Sequence, residues 1–441
     1  MNISELYAIF RQHPVVTTDT RNCPPDSLFF ALRGANFDGN RFAPKALEAG
    51  CAYAVVDNAE VAAADDRMLL VPDVLEALQQ LARLHRRTLR TPILQITGTN
   101  GKTTTKELTA TVLARRHRVL FTEGNLNNHI GVPRTLLRLT PQHDIAVVET
   151  GANHPGEIRF LSEMVEADCG LITNVGKAHL EGFGSFEGVV RTKGELYDNL
   201  RSREDTFIFL DADNPHLRSI AHHLPAITYG CPESDADITG EVVSCTPYLH
   251  FRWRQREDLE WQEVQTRLIG SYNLTNALAA AAVGLRFGVS EEEVSAALAA
   301  YEPRNNRSEL LRTTRNELIV DAYNANPTSM QAALQNFALI PHTAKMVILG
   351  GMRELGEASD EEHDAVLRRL SAMEVPTVWL VGEEMQAAVR RTADTGRLHG
   401  LRLFPDVEAV KAALRTTDIS GRLILIKGSN GNRLFELPEQ L

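Results

Sequence analysis

The segment at residues 93–106 constrains the fold more than any other, because an apolar run ends there in a glycine-rich turn. Residues 93–96 (ILQI) read as a buried strand, and Leu108, Val112 and Leu113 then recur at helical spacing. A strand that passes through such a turn into a helix directs backbone N–H groups and the positive end of the helix dipole at an anion. The sequence therefore predicts a phosphate-binding loop, and with it a protein that uses ATP.

The predicted loop supplies one cation and one hydroxyl at the start of the helix. Lys102 would reach the outer phosphates, and the hydroxyl of Thr103 would ligate Mg²⁺. The other nucleotide-binding candidates in the loop are Gly98, Thr99, Asn100, Gly101 and Thr104. The usual loop has four residues between its first glycine and the Gly-Lys pair, so this loop is a shortened variant. The alternative is a tight strand-to-helix turn with a solvated lysine.

The composition is that of a globular chain with several domains. At 441 residues the chain is too long for one ordinary core, and we expect about two to four domains. A hydrophobic content of 43% with 23% charged residues is typical of soluble proteins. The net charge of -11 argues against non-specific nucleic-acid binding, which depends on neutralisation of phosphates by lysine and arginine.

The cysteines and the apolar segments bear on the compartment of the protein. The 5 cysteines are dispersed and include no CxxC pair, so we expect free thiols in a reducing environment. No apolar stretch approaches membrane-spanning length, and the first residues lack the features of a signal peptide. We therefore expect a cytoplasmic protein that is not integral to a membrane. The sequence shows no long amphipathic stripe, which favours a monomer.

The order of apolar runs divides the chain into three α/β units. Residues 1–91 form the first unit. In residues 92–303, strands alternate with helices and predict a mainly parallel sheet, while the alternation of polar and aromatic residues at 236–268 predicts antiparallel hairpins. Residues 304–441 repeat the strand–helix alternation and predict a small, doubly wound, Rossmann-like sheet. The expected fold class is α/β with three domains.

Polar residues near strand ends of the central unit are candidates for catalysis. Glu149 ends the predicted strand at 144–149, and His179 follows the predicted strand at 170–175. Ligands of open α/β sheets bind at the carboxyl ends of the strands, so both side chains could approach the phosphate loop, and Glu149 could hold Mg²⁺. The alternatives are a capping or surface carboxylate and an ordinary loop histidine. Lys193 carries no signal by itself, and a solvated helix lysine is the favoured interpretation.

These motifs resemble those of the Mur ligases, ATP-dependent enzymes that form amide bonds in peptidoglycan precursor synthesis. The resemblance spans almost the whole chain. In the central unit it rests on GTNGKTT at 98–104, TEGNLNN at 122–128, ETGAN at 149–153, AHLEGFG at 178–184 and NLTNA at 273–277. The last segment resembles the adenine-contacting segment of the family, which implies nucleotide binding by Asn273 and Asn276.

Other segments resemble those of the family members that join D-alanyl-D-alanine to UDP-N-acetylmuramoyl-tripeptide. They are DAYNANP at 321–327 and the N-terminal segments TDTR at 18–21 and FDGN at 37–40, which resemble a UDP-binding region. The resemblance implies that the tripeptide nucleotide and the dipeptide are the substrates. It implies a substrate site formed by Thr20, Arg21, Asp38, Gly39, Asn127, Asn128, Asn324, Asn326 and Lys427.

The resemblance also implies a metal site. In the family the lysine that matches Lys193 is carbamylated by CO₂ and becomes an anionic Mg²⁺ ligand, and Glu149 and His179 match other metal-binding positions. With Thr103 they would form the site, which agrees with the preference of Mg²⁺ for oxygen ligands.

The implied reaction activates a carboxylate and then forms an amide. The substrate carboxylate would attack the γ-phosphate of ATP, and the dipeptide amine would displace phosphate from the acyl phosphate. Because the partners are anionic, catalysis would consist mainly of charge neutralisation and positioning. The implied catalytic residues are Lys102, Lys193, His179, Glu149 and Arg307. Arg307 and Asp321 would clamp the nucleotide when the domains close.

The sequence departs from the family pattern in the region of the dipeptide pocket. Gly351 stands where an aspartate is common, Asn430 replaces a usual arginine, and Val320 stands where a second acid often precedes Asp321.

Two other functions stay open. One is another ligase of the superfamily, of the folylpolyglutamate or cyanophycin type, and the other is a P-loop nucleotide switch or transport ATPase.

Overall fold

The computed structural model describes residues 1–303, 309–392 and 398–441, and shows three α/β units, each with its own sheet. The predicted fold class is therefore confirmed, while the domain boundaries near residues 91 and 303 stay predictions. No helix in the described part of the chain is long and apolar enough to cross a membrane. All five cysteines are free thiols, as expected.

The N-terminal unit consists of a small parallel sheet and the helices around it. Its elements are α1 (Ile3–Phe10), β1 (Val16–Thr17), β2 (Leu28–Phe30), β3 (Arg33–Gly34), β4 (Phe37–Asp38), α2 (Ala43–Glu48), β5 (Tyr53–Val56), α3 (Ala59–Ala62), β6 (Met68–Leu70) and α4 (Val74–Leu89). The sheet has the order β1-β2-β5-β6, and β3 pairs with β4 separately. Helix α4 begins after Asp73, whose side chain accepts from the Glu76 N–H and caps the helix.

The central unit is built on a long mixed sheet with helices on both faces. Its elements are β7 (Ile93–Thr97), α5 (Lys102–Leu113), β8 (Val119–Phe121), α6 (Gly131–Leu136), β9 (Ile145–Glu149), α7 (Glu157–Val165), β10 (Cys169–Ile172), α8 (Leu180–Phe183), α9 (Phe186–Arg201), β11 (Phe207–Asp211), α10 (Pro215–Ala221), β12 (Ala226–Gly230), β13 (Ile238–Cys245), β14 (Tyr248–Gln255), β15 (Gln262–Ile269), α11 (Asn273–Arg286) and α12 (Glu291–Ala300).

The strand order of the central sheet is β15-β14-β13-β12-β11-β10-β7-β9-β8. The strands from β8 to β13 in this order pair in parallel, and β13, β14 and β15 pair antiparallel, as the sequence predicts. Strands β7 and β9 are buried along their whole length, because helices cover both faces of the sheet. Their carboxyl ends lie side by side, which brings the residues that follow them together.

The C-terminal unit is a second doubly wound sheet. Its elements are β16 (Glu309–Arg312), β17 (Glu317–Asp321), α13 (Pro327–Leu339), β18 (Lys345–Gly350), α14 (Ser359–Met373), β19 (Thr377–Val381), α15 (Glu383–Arg391), β20 (Arg402–Phe404), α16 (Val407–Thr416) and β21 (Leu423–Lys427). The strand order is β16-β17-β21-β18-β19-β20, with β16 antiparallel to β17. Asp321 and Lys427 end the neighbouring parallel strands β17 and β21 opposite each other.

Candidate active site

The loop between β7 and α5 has the backbone geometry that a phosphate cradle needs. Gly98 has φ +143° and Gly101 has φ +77°, conformations that side chains rarely adopt. A Cβ at Gly98 would lie 2.0 Å from Oγ1 of Thr173, and one at Gly101 would lie 2.6 Å from Oδ1 of Asn276. Both positions therefore require glycine. Gly101 provides no side chain to cap α5, and the start of a helix is a common site for an anion.

Residues after β10 hold the phosphate loop in place. The Thr173 hydroxyl donates to the Asn100 carbonyl at 2.6 Å, and the Asn174 side chain both accepts from the Asn100 N–H and donates to its carbonyl at 3.0 Å. The sequence reasoning missed these two residues because it placed them inside a strand, whereas β10 ends at Ile172. The available signal was a pair of polar residues at the end of an apolar run.

Lys102 is folded back over the loop that it follows. Its Nζ donates to the carbonyls of Gly98 and Thr99, each at 2.9 Å. An ammonium in this position adds positive charge at the N-terminus of α5. The arrangement agrees with the predicted contact between Lys102 and phosphate oxygens, and the alternative of a solvated lysine does not describe it.

Glu149 lies at the buried end of β9, beside the phosphate loop. Its side chain is 1% exposed, and its Oε1 accepts from the Thr103 hydroxyl at 3.2 Å and from Nδ2 of Asn127 at 2.7 Å. Its Oε2 accepts no hydrogen bond from the described residues and lies 4.0 Å from Nζ of Lys106. The alternative of a surface or capping carboxylate is wrong, because β9 carries the side chain into the interior.

The residues around Glu149 fit a magnesium ion. A buried carboxylate oxygen without a hydrogen bond costs free energy unless a cation or donor satisfies it. For Oε2 of Glu149 the cation nearby is Lys106, with Nζ at 4.0 Å, and the Thr103 hydroxyl donates to Oε1 of the same carboxylate. Mg²⁺ commonly binds through one or two carboxylates together with phosphate oxygens and waters. Among the described residues no three His, Cys, Asp or Glu side chains come close enough to hold a metal ion by themselves. The protein therefore offers part of a coordination shell that a nucleotide would complete.

Lys193 is buried within α9. Its side chain is 2% exposed, and Nζ lies 3.4 Å from the Ala152 carbonyl. Burial, reinforced by the positive charge of Lys102, lowers the pKa of Lys193 to about 7. The interpretation as a solvated helix lysine is wrong, and the spacing could have shown it. Lys193 shares the buried face of α9 with Val189, Leu196 and Leu200.

His179 contacts the C-terminal unit. It precedes α8 with φ +50°, and its Nδ1 forms a hydrogen bond with Oε2 of Glu354. Burial lowers the pKa of His179, and the charges of Lys102 and Lys193 act in the same direction, while Glu354 opposes them. Glu354 was not predicted from the sequence, because it lies in the C-terminal unit and no motif near His179 or the phosphate loop points to it.

The C-terminal unit contributes a buried ion pair and an amide bridge. Nζ of Lys427 lies 2.5 Å from Oδ2 of Asp321 and 3.4 Å from the Asn324 carbonyl. The Asn326 side chain caps α13 and also donates from Nδ2 to Oδ1 of Asn100 at 2.8 Å. This amide joins the DAYNANP segment directly to the phosphate loop.

The two predicted adenine-binding asparagines lie behind the phosphate loop. Oδ1 of Asn276 accepts from the Thr105 hydroxyl at 3.0 Å, and its Nδ2 donates to Asn273 at 2.9 Å. Nδ2 of Asn273 donates to the Ile269 carbonyl at 2.8 Å. These side-chain amides therefore link α11 to α5 and to β15. Both asparagines also line a large cavity.

A cavity of about 1030 Å³ gathers most of the predicted site residues from the central and C-terminal units. Those that line it are Thr99, Asn100, Gly101, Lys102, Thr103, Thr104, Asn127, Asn128, Glu149, His179, Asn273, Asn276, Asp321, Asn324, Asn326 and Lys427. Lys193 and Gly98 are not among the residues that line it. Arg307 lies outside the described residues. Asp211 also lines the cavity and was not predicted; its signal was a carboxylate at the end of the predicted strand at 206–210.

The predicted UDP-binding residues of the N-terminal unit are not among the residues that line this cavity: Thr20, Arg21, Asp38 and Gly39. Arg21 forms an exposed ion pair with Asp19, and that guanidinium lowers the pKa of Asp19 to about 2. Asp38 accepts hydrogen bonds from Asn40 and caps the turn that begins at Gly39. Their role in substrate binding stays a prediction.

The departures from the family pattern differ in their surroundings. Val320 is fully buried in an apolar cluster, so its position in β17 favours an apolar side chain. Gly351 accepts from the Ser429 hydroxyl through its carbonyl at 2.8 Å. Asn430 begins an exposed turn.

Comparison with known proteins places these features in a family. Three family models match the chain: the Mur ligase family catalytic domain at residues 14–86, the Mur ligase middle domain at 96–284, and the Mur ligase glutamate ligase domain at 306–430. A UDP-N-acetylmuramoyl-tripeptide--D-alanyl-D-alanine ligase of Bacillus subtilis is 34% identical over 429 residues, which cover 97% of this chain and 92% of the relative. The Escherichia coli protein of that name is 34% identical over 432 residues, with 97% and 93% coverage.

Solved structures show the same likeness. MurF from Acinetobacter baumannii superposes with a TM-score of 0.84 at 31% identity and covers 97% of this chain and 92% of its own. MurF ligase from Thermotoga maritima in complex with ADP superposes with a TM-score of 0.81 at 25% identity, with 97% and 96% coverage.

Proposed function

The chain belongs to the Mur ligase family, and we propose that it joins D-alanyl-D-alanine to UDP-N-acetylmuramoyl-tripeptide with consumption of ATP. The observation that carries this proposal is the shared cavity, in which the phosphate loop faces the DAYNANP segment. The hydrogen bond between Asn100 and Asn326 joins the two. The relatives named for this reaction match 97% of the chain, which supports the same substrates. On sequence grounds we propose a cytoplasmic monomer.

The nucleotide phosphates would lie at the N-terminus of α5. The N–H groups of the loop 98–104 and the ammonium of Lys102 would neutralise them. Thr103 and Glu149 would hold a Mg²⁺ ion, which when bound neutralises phosphate charge; His179 and a carbamylated Lys193 would supply further ligands. The lowered pKa of Lys193 supports this modification, because CO₂ reacts with a neutral amine. Arg307 and Asp321 would contact the nucleotide from the C-terminal side.

The reaction would proceed in two displacements. A carboxylate oxygen of the tripeptide forms a bond to the γ-phosphorus, and the bond between that phosphorus and the bridging oxygen of ADP breaks. The dipeptide amine then adds to the acyl carbon, loses a proton, and expels inorganic phosphate. Positive charge at Lys102 would favour the first step. Lys427, Asn324 and Asn326 would orient the dipeptide.

The decisive experiment measures phosphate release from ATP by the purified full chain with Mg²⁺. The tripeptide nucleotide and D-alanyl-D-alanine are supplied together and singly, and the product mass is determined. We expect release that requires both compounds and a UDP-linked pentapeptide. A ligase for another substrate would not form this product, and a nucleotide switch would release phosphate without the dipeptide. Either result would refute the proposal.

A further inference from the structure

The C-terminal unit contacts the central unit beside the phosphate loop through a hydrogen bond and an ion pair. The hydrogen bond joins His179 to Glu354, and the ion pair joins Nζ of Lys177 to Oε1 of Glu362 at 2.6 Å. The Glu354 carbonyl also accepts from the Glu181 N–H at 3.2 Å. The contact therefore includes backbone as well as side chains, and it fixes the position of Glu354 relative to the segment that carries His179.

The Glu354 carboxylate determines which ring nitrogen of His179 carries the proton. An ionised carboxylate only accepts hydrogen bonds, so Nδ1 of His179 must donate to it. Nε2 of the neutral ring is then left with a lone pair on a side chain that lines the cavity. A carboxylate that orients a histidine in this manner is a common support for metal-binding imidazoles.

The loop that carries Glu354 is held by the C-terminal unit. Glu354 lies in the loop between β18 and α14 with φ +62°. In the same loop, the Met352 N–H donates to Nε2 of buried His363 at 2.9 Å, and Nδ1 of His363 donates to the Ser359 carbonyl at 2.6 Å. His363 therefore ties the loop to α14, so Glu354 moves with the C-terminal unit.

We propose that Glu354 is a positioning residue, which sets the tautomer and orientation of His179 only while the C-terminal unit is closed on the central unit. This inference rests on the proposed function for the ligand that His179 meets. On this inference, domain closure orients His179, because the histidine belongs to the central unit and its orienting carboxylate belongs to the C-terminal unit. Release of the C-terminal unit would free the imidazole.

The first test is nitrogen NMR of the ligand-free full chain labelled at histidine. A His179→Asn variant assigns the signal. We compare Glu354→Asn, which shortens the side chain and tolerates positive φ, with Glu362→Asn, which removes the neighbouring ion pair without touching His179. We expect the Nδ1–H tautomer in the wild type and in Glu362→Asn, and its loss in Glu354→Asn. An unchanged His179 signal in Glu354→Asn would overturn the inference.

The second test measures the Mg²⁺ concentration that half-saturates phosphate release. We expect Glu354→Asn to raise this Mg²⁺ concentration about 10-fold, as for loss of a partner that orients a metal-binding histidine. Glu362→Asn should leave the concentration within about 2-fold of wild type. Glu354→Gln, which keeps a hydrogen-bond acceptor, should give an intermediate value. A lower requirement in Glu354→Asn would show that Glu354 competes with the metal, and would also overturn the inference. If the wild type releases no phosphate, the proposed function fails, whereas the NMR test stands independently.

Discussion

The charged residues around the cavity and those predicted to bind substrate in the N-terminal unit have opposite environments. Glu149, Lys193 and Lys427 are between 1% and 2% exposed, whereas the Arg21 side chain is 87% exposed. Asp38 is intermediate, with its side chain 34% exposed. Burial of a charge costs free energy unless partners compensate for it. That desolvation cost therefore falls on the buried residues around the cavity and not on Arg21.

The two regions differ in how their charged side chains are arranged before an anionic ligand binds. At the cavity, the fold places charges in advance and tolerates their desolvation, which shifts the pKa of Lys193. In the N-terminal unit, the ion pair between Arg21 and Asp19 is local and solvated, and a ligand could replace Asp19 at little cost. Substitutions should therefore affect the two regions differently.

The largest effect is expected from Lys193→Ala. Because Lys193 is buried and close enough to Lys102 for that charge to lower its pKa, we expect its removal to lower kcat about 10²–10³-fold, as for loss of a preorganised electrostatic group. The melting temperature should change little, because removal of a desolvated amine offsets the cavity that its alkyl chain leaves. Arg191→Ala, which removes an exposed cation from the same helix, is the matched control and should retain wild-type kcat. If the kcat of Lys193→Ala were within a few-fold of wild type, the buried charge would matter no more for activity than an exposed one.

The modification of Lys193 can be tested in the same preparation. With a pKa of about 7, the neutral amine fraction rises as pH increases through 7. Intact mass in bicarbonate should therefore show more of the CO₂ adduct at pH 8 than at pH 6, and no such adduct at this site in Lys193→Ala. A ratio that does not change with pH would argue against an amine with this pKa.

The next effect concerns stability. Lys427→Met leaves the Asp321 carboxylate, whose side chain is 17% exposed, without its ion-pair partner. We expect a loss of about 3 kcal/mol in the free energy of unfolding, measured by denaturant titration. Arg21→Met removes one partner of an exposed pair and should leave stability unchanged. The double variant Lys427→Met with Asp321→Asn should recover part of the loss. Equal effects of the two single substitutions would erase the distinction between the regions.

Individual residues beside the cavity could be predicted from the sequence where local geometry or position marks them. Gly98 and Gly101 are required by backbone conformation, and Glu149 was a candidate because it ends a buried strand. Glu354 could not be predicted, because its partner His179 is 175 positions away and only the packing of two units brings them together. Local spacing identifies which residues end strands, but not which surfaces of two domains meet.

The smallest effect on stability is expected at Asp211. Burial raises the pKa of this carboxyl group to about 6, above its value in the unfolded chain, although it accepts from the Asp213 N–H at 3.0 Å. A group whose folded pKa is raised loses stabilising influence as pH increases through that value. Asp211→Asn should therefore be more stable than wild type by up to about 2 kcal/mol at pH 8, with a difference that shrinks toward pH 5. Asp235→Asn, at a carboxylate 89% exposed, controls for the loss of one charge. If the Asp211→Asn difference were the same at both pH values, the cavity edge would hold this carboxylate without cost, and burial alone would not distinguish the two regions.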